Sequence, residues 1–333
     1  MLRLIDMSFA TKRNIALLCT ACAVLGILAG IRLRQEETNA ADGGTEVQTG
    51  EHPGIPLAVE PSFYGNSATP TAPSPSGAVT SVRQSSTVNV APVVSAEGYL
   101  VGNVRTGTLY LSKNPSKVFP VASVSKLLTA ITATDIYSPT TTITITPAEA
   151  NVPIDGSLLK PGEQFTVSEL MYPLLLNSSN VAAEALASSS NRSAFMAEMR
   201  GYGWEIGMAQ SYFEDPSGLS ARNSASAKDI FALAQYLYTS RPDILAITRS
   251  AKITVATSTD HGAHIFESIH PFSGDKAFIG GKTGHTDAAR DTMLTILTID
   301  NQPIAIIVLR SDTSGRALDT TLLRDQVKAL LSN

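Results

Sequence analysis

Apolar and polar positions change rhythm several times along the chain, and each change marks an element. Residues 98–113 hold two apolar runs around Arg105-Thr106-Gly107, the pattern of a β-hairpin. Next, "VASVSKLLTAI" spaces Val124, Leu127, Leu128 and Ile131 as an amphipathic helix does, with Pro120 just before its start; the helix is expected to run to about Tyr137. "TTTITIT" at 140–146 alternates as a short strand. Thr166-Val167-Ser168-Glu169 is a capping box, and the helix it opens should kink or end at Pro173. Further helices are expected over 180–188, 193–201 and 226–238, strands over 251–258, 277–282, 292–299 and 303–310, and a last amphipathic helix over 316–331. Strands at both ends with helices between them predict an α/β layered domain. Its antiparallel sheet is built from the first hairpin and the last three strands.

That domain begins near Asn89. Ahead of it, residues 35–88 are rich in Gly, Pro, Ser and Thr and lack the apolar periodicity that repays ordering entropy, so they read as a disordered, extended tether. Earlier still, "IALLCTACAVLGILAGI" at 15–31 reaches the lower bound for crossing a bilayer, with Arg3, Lys12 and Arg13 before it and Arg32 and Arg34 after it. No small-x-small cleavage site closes it cleanly, so an uncleaved signal anchor with its N-terminus inside is expected; cleavage near Ala40, giving a secreted protein, is the runner-up. Both cysteines, Cys19 and Cys22, lie in this run, which leaves the following domain without a disulfide, a catalytic thiol or a cysteine-ligated metal. A net charge of −4 offers no basic surface for nucleic acid.

Candidate chemistry starts at Ser123 and Lys126. Three residues apart on a helix, their side chains share one face, and an amine can reach a hydroxyl. A serine nucleophile needs this when a lysine takes its proton. Ser-x-x-Lys also occurs at Ser157/Lys160 and Ser273/Lys276, but Pro161-Gly162 stops any helix after the former and Ser273-Gly274-Asp275 reads as a turn. The bland reading of Ser123 is a helix-capping serine beside a solvated lysine. Two further short patterns follow in order: Ser178-Ser179-Asn180 between two helices, and Lys282-Thr283-Gly284 at a strand end. Each is weak alone; together they match the set described for penicillin-interacting serine enzymes.

With these three motifs, and with "TVSELMYPLLLNSSNVAAEALA", "DPSGLSARNSASAKDI" and "GGKTGHTDAA", residues 89–333 resemble the low-molecular-mass penicillin-binding proteins that act as D-alanyl-D-alanine carboxypeptidases. The resemblance implies a β-lactamase/transpeptidase-like fold. The implied activity is removal of the terminal D-alanine of peptidoglycan stem peptides through an acyl-enzyme on Ser123, with β-lactams as covalent inhibitors and no cofactor or metal. Ser178 would relay a proton to the leaving amine and Asn180 would orient the substrate amide and Lys126. Lys282 and Thr283, in the Lys-Thr-Gly that ends with Gly284, would hold the terminal carboxylate, with Arg316 a further candidate. Backbone N–H groups of Ser123 and His285 would form the oxyanion hole. Family members often carry an additional C-terminal β-rich domain, which is not expected here. Arg290 stands where the family usually has glycine, and an N-terminal anchor replaces the C-terminal amphipathic helix of some members.

A lysine is a poor base at its ordinary pKa of about 10.4, and bringing Lys126 near neutrality requires roughly 4 kcal/mol of differential interaction. Burial, a second cation at Lys282 and the positive end of a helix dipole would supply it. Competing readings share parts of the site. A D,D-endopeptidase would use the same residues on a cross-linked dimer. A β-lactamase would add a deacylating glutamate, for which Glu214 is placed temptingly, although Gly218 stands where an asparagine would be wanted. A catalytically silent wall-binding module would lack a working site. "HGAHIFESIH" invites a metal site through His261, His264, Glu267 and His270, but strand alternation puts Glu267 on the face opposite His264 and His270, so a polar hairpin is expected.

Overall fold

The computed structural model describes residues 93–332 except 154, 155 and 157. The expected anchor at 15–31, the tether at 35–88 and Ser157 lie outside the described residues.

The first hairpin, β1 (Gly98–Asn103) and β2 (Leu109–Lys113), forms as its alternation predicts. It joins the last three strands, β9 (Phe278–Thr286), β10 (Arg290–Ile299) and β11 (Gln302–Ser311), in one antiparallel sheet ordered β2-β1-β11-β10-β9. The strand that opens the domain thus pairs with the one that closes it, Gly98 opposite Leu309. Both faces are covered, which explains the near-continuous apolar runs of β10 and β11. On one face Tyr99, Val101, Met293, Leu297, Ile304, Ile306 and Val308 pack with Leu323 and Val327 of the last helix, α8 (Arg316–Leu331). On the other lie helices that include α6 (Ala227–Ser240), whose Phe231 ring sits so close to Gly102 that a Cβ there would stand 2.8 Å from it.

Between the two halves of the sheet the chain runs through β3 (Val118–Pro120), a 3-10 turn at Ala122–Ser125, α1 (Lys126–Ile136), β4 (Thr142–Thr144), α2 (Pro147–Ala150), β5 (Gln164–Thr166), α3 (Val167–Leu175), α4 (Asn180–Ser188), α5 (Arg192–Glu205) and β6 (Ser224–Ser226). After α6 come α7 (Pro242–Arg249) and the pair β7 (Lys252–Val255) and β8 (His264–Glu267). The capping box is present: Thr166 N donates to Glu169 Oε2 at 2.8 Å and Glu169 N to Thr166 Oγ1 at 3.2 Å. Pro173 does not stop α3 at once; the helix closes two residues later.

Three expectations need correcting. The helix after Ser123 is not amphipathic: Leu127, Leu128, Thr129, Ala130, Ile131, Thr132 and Ala133 are all buried, so α1 is an interior helix wrapped by α3 and α5. Its polar-looking positions are threonines whose hydroxyls bond inward, Thr132 to Leu128 O at 2.8 Å and Thr129 to Pro216 O at 2.6 Å. Ser123 is also not on the α-helix but on the 3-10 turn feeding it. The Lys-Thr-Gly strand, expected to end at Lys282, continues to Thr286. Helices α2 and α7 were not legible as such; each has its proline at the first helical turn, where a missing N–H costs nothing.

Arg290 adopts φ +54°, a left-handed conformation glycine would enter freely, at the tight turn between β9 and β10. The arginine is held there by pairing with Asp312 and by Glu97 Oε1 at 3.5 Å, at the solvent-facing end of β10.

Candidate functional site

Four elements converge on one cleft, and each motif residue has a local reason to be there. The 3-10 turn presents Ser123 because Ala122 takes φ +46°, an uncommon conformation for a residue with a Cβ. Ala122 O accepts from Ser125 Oγ at 2.9 Å, and Val121 O accepts from Thr292 Oγ1 of β10 at 3.0 Å. These bonds overdetermine the turn, the condition under which local strain persists at a site. No side-chain cap is made at this helix start, so Ser123 is not the capping serine of the bland reading.

Lys126, in the first turn of α1, is completely buried. Its Nζ lies 2.9 Å from Ser123 Oγ and 2.7 Å from Asn180 Oδ1, and it donates to Ser217 O. Ser178-Ser179-Asn180 divides its work by direction. Ser179 caps α4, accepting from Ala182 N at 3.0 Å. Ser178, at φ +62°, turns the other way and accepts from Lys282 Nζ at 2.8 Å. Asn180 donates from Nδ2 to Pro153 O at 3.0 Å, which leaves Oδ1 for the lysine. Sequence spacing could not have shown that one motif serves both amines.

Lys282 comes from β9, the edge strand, and is 1% exposed. Burial, then the neighbouring charges of Lys126 and Arg316, push its ammonium well below lysine's usual value. Two ammonium groups in one dry site oppose each other, which is the electrostatic condition for one amine to work uncharged. Thr283, Gly284 and His285 continue along β9 into the cleft wall, with Ser123, Ser178, Asn180 and Arg316 also lining it. Arg316 Nη1, at the start of α8, donates to Gly284 O at 2.9 Å and stands 3.8 Å from Asp291 Oδ1. His285 Nδ1 lies 2.7 Å from the same Asp291 oxygen. The nine residues that the family resemblance implicated therefore meet here, seven on the cleft surface and the two lysines beneath it. The cleft holds about 190 Å³. A larger cavity of about 480 Å³ opens between α6, α7 and β9, but its walls, among them Tyr238, Leu245, Arg249 and Ile279, offer no nucleophile with a base.

Several contributors were not visible as site residues. Ser217 supplies the carbonyl that receives Lys126, and its loop is wound around Asp215. Burial alone would raise that carboxyl; N–H groups of Ser220, Ser217 and Gly218 and the Ser217 hydroxyl hold it below the usual range instead. Asp-Pro-Ser-Gly was the available signal, a turn whose aspartate bonds its own backbone. Gly218 has φ +84°, and a Cβ there would lie 2.3 Å from Ala122 O. Gly218→Ala is therefore expected to cost about 2–4 kcal/mol and to displace the turn bearing Ser123. Thermal unfolding checks it against Gly274→Ala, which has a similar φ but open space and should lose less.

Glu214 does not line the cleft; it bonds Ser220 and pairs with Arg222 at 3.1 Å. The four residues of the tempting metal pattern separate as well. His261 stacks on Phe165, His264 bonds Glu163 at 2.9 Å, Glu267 pairs with Lys252 at 3.1 Å, and His270 Nε2 bonds Leu294 O at 3.1 Å. Among the described residues no group of three ligating side chains could hold a metal ion. Burial holds His270 uncharged down to about 3, beneath the strand that carries Lys282.

Comparison with known proteins agrees with this geometry. The pattern of the D-alanyl-D-alanine carboxypeptidase family matches residues 85–313. A D-alanyl-D-alanine endopeptidase of Pseudomonas aeruginosa is 28% identical over 68% of this chain and 74% of its own length. The D-alanyl-D-alanine carboxypeptidase DacB2 of Mycobacterium tuberculosis is 26% identical over 60% of this chain and 69% of its own. Penicillin-binding protein D2 of Listeria monocytogenes, solved in its cefotaxime-bound form, superposes with a TM-score of 0.62 at 28% identity, covering 70% of this chain and 97% of that one. The chain belongs to the D-alanyl-D-alanine carboxypeptidase family and is a serine-type hydrolase with the penicillin-binding-protein fold.

Proposed function

We propose that this protein is a serine D-alanyl-D-alanine carboxypeptidase acting on peptidoglycan stem peptides, with Ser123 as nucleophile and Lys126 as its base. The observation that carries the reading is the buried Lys126 Nζ, 2.9 Å from Ser123 Oγ, facing a second buried amine on Ser178. Ser123 Oγ attacks the carbonyl between the two D-alanines as its proton passes to Lys126 Nζ. Backbone N–H groups of Ser123 and His285 receive the oxyanion; β9 is a sheet edge, with main-chain groups left for a ligand. The C–N bond then breaks, Ser178 passes a proton to the leaving amine, and free D-alanine departs. Water hydrolyses the ester and restores Ser123. A β-lactam enters the same path and stays as the adduct. Residues 15–31 would anchor the chain in the cytoplasmic membrane, with 35–88 as a tether holding the domain on the wall side.

A β-lactamase reading loses its glutamate, because Glu214 is turned to Ser220 and Arg222. A silent module is disfavoured by the complete set of paired groups.

The test is to incubate the purified full-length chain with a stem pentapeptide ending in D-Ala-D-Ala and with a labelled penicillin. D-alanine release and one covalent adduct are expected; neither appearing would refute the assignment. Lys282 sharpens it. Its charged form holds the terminal carboxylate, and that form is lost as pH rises through a value depressed below 10.5. Affinity for the free carboxylate should therefore fall on the alkaline side earlier than an ordinary lysine allows. Lys282→Ala should raise KM about 10–100-fold on the free acid and much less on the C-terminal amide. Equal losses on both would contradict a carboxylate role.

A further inference from the structure

We propose that Asp291 is a positioning residue for substrate binding: one buried oxygen of its carboxylate sets two side chains, His285 and Arg316, at the end of the cleft that takes the terminal carboxylate. This role rests on the function proposed above and adds to its binding site a residue that does not itself touch the substrate. Asp291, the second residue of β10, stands across from His285 in the β9–β10 register, so the two side chains share one face of the sheet. Its side chain is 7% exposed, and its Oδ1 lies 2.7 Å from His285 Nδ1 and 3.8 Å from Arg316 Nη1. A carboxylate only accepts, so the imidazole nitrogen facing it carries a hydrogen. Nε2 is then the ring nitrogen left for a ligand, on a side chain that is 54% exposed and lines the cleft. Arg316 Nη1 gives one hydrogen to Gly284 O at 2.9 Å and has Asp291 as its other neighbour. The Nε and Nη2 hydrogens remain for an incoming carboxylate.

The main chain around this carboxylate is already fixed. Gly315 N donates to Asp312 O at 2.7 Å, and Asp319 accepts from Ser95 N and Ala96 N at 2.9 Å each, holding the start of α8. Thr292, the residue after Asp291, bonds Val121 O at 3.0 Å and so braces the turn that carries Ser123. What the backbone leaves free is the long arginine side chain and the imidazole ring. Ordering them before the substrate arrives removes that cost from binding. The same charge has an opposite effect through space: an anion 3.8 Å from Arg316 repels the carboxylate that Arg316 is to hold. The two effects differ in sign, which makes the role testable. Removing an anion that only sits nearby would tighten binding of a free carboxylate, whereas removing one that positions Arg316 and His285 weakens it.

The experiment compares Asp291→Ala and Asp291→Asn with the unmodified full-length chain on a pentapeptide ending in D-Ala-D-Ala and on its C-terminal amide, following release of D-alanine and of D-alaninamide. Asp291→Ala is expected to raise KM on the free acid about tenfold, with kcat held within about twofold and KM on the amide little changed. Asp291→Asn keeps the shape and one acceptor but not the charge, and its KM on the free acid should fall between the two. A KM on the free acid that is unchanged or lower in both variants overturns the proposal. So does an equal loss on the two substrates, the mark of a general disturbance of the cleft. If Asp291→Ala does not fold, the isosteric Asp291→Asn decides by the same comparison. The route is read from Arg316→Ala: in that background Asp291→Ala should cost less than about threefold, because the side chain it positions is gone. An undiminished tenfold loss there overturns the proposal as well. An unmodified chain that releases no D-alanine at all removes instead the function proposed above.

Discussion

Ser123→Ala is expected to abolish covalent labelling by penicillin and to reduce D-alanine release to background, with the fold intact. The loss is complete because no second hydroxyl is placed to replace it: Ser178 is engaged by Lys282 and Ser217 bonds Asp215. Stability should change by about 1 kcal/mol or less. Among the described residues Ser123 Oγ bonds Lys126 Nζ and, at 3.4 Å, Ser217 O, and the lysine keeps Asn180 Oδ1 and Ser217 O as partners. The measurement is mass spectrometry of the penicillin-treated variant beside its melting curve. An adduct of undiminished yield would take Ser123 out of the role.

Lys126→Ala should lower the acylation rate about a thousandfold, equivalent to about 4 kcal/mol of transition-state stabilisation, while substrate still binds. Loss of a general base removes an interaction made as the reaction proceeds, so kcat carries the effect and KM moves little. The sign of the pH dependence follows from the role. A base works unprotonated, so the unmodified enzyme should lose acylation rate as pH falls through the pKa of the Lys126–Lys282 pair. The residual rate of the variant should lack that acid limb. Stopped-flow acylation across pH checks both; a variant keeping a tenth of the rate, or the same acid limb, would remove Lys126 as base. Arginine is not a rescue, because guanidinium stays charged and cannot take a proton.

Both predictions depend on contacts that no local pattern contains. Thr129 and Thr132 interrupt the apolar spacing of α1 and make it look one-sided, yet their hydroxyls find main-chain acceptors and the helix is enclosed. Pairing the hairpin with the last three strands was legible because strands at the two ends, with helices between, have few ways to share a sheet. The short pairs β3–β6 and β4–β5 were not, since three residues carry no period.

What the residues carried unaided was the order of the Ser-x-x-Lys, Ser-x-Asn and Lys-Thr-Gly motifs and the pairing of the first hairpin with the last three strands. Side-chain type and local spacing carry that information. Folding alone decided which amine faces which hydroxyl. Lys126 and Lys282 are 156 positions apart in number, and each owes its burial to segments remote from it: the Asp215 loop over one, the Ser178 turn over the other. An amine's proton affinity is a property of its surroundings, and those surroundings exist only once the distant chain has closed over it.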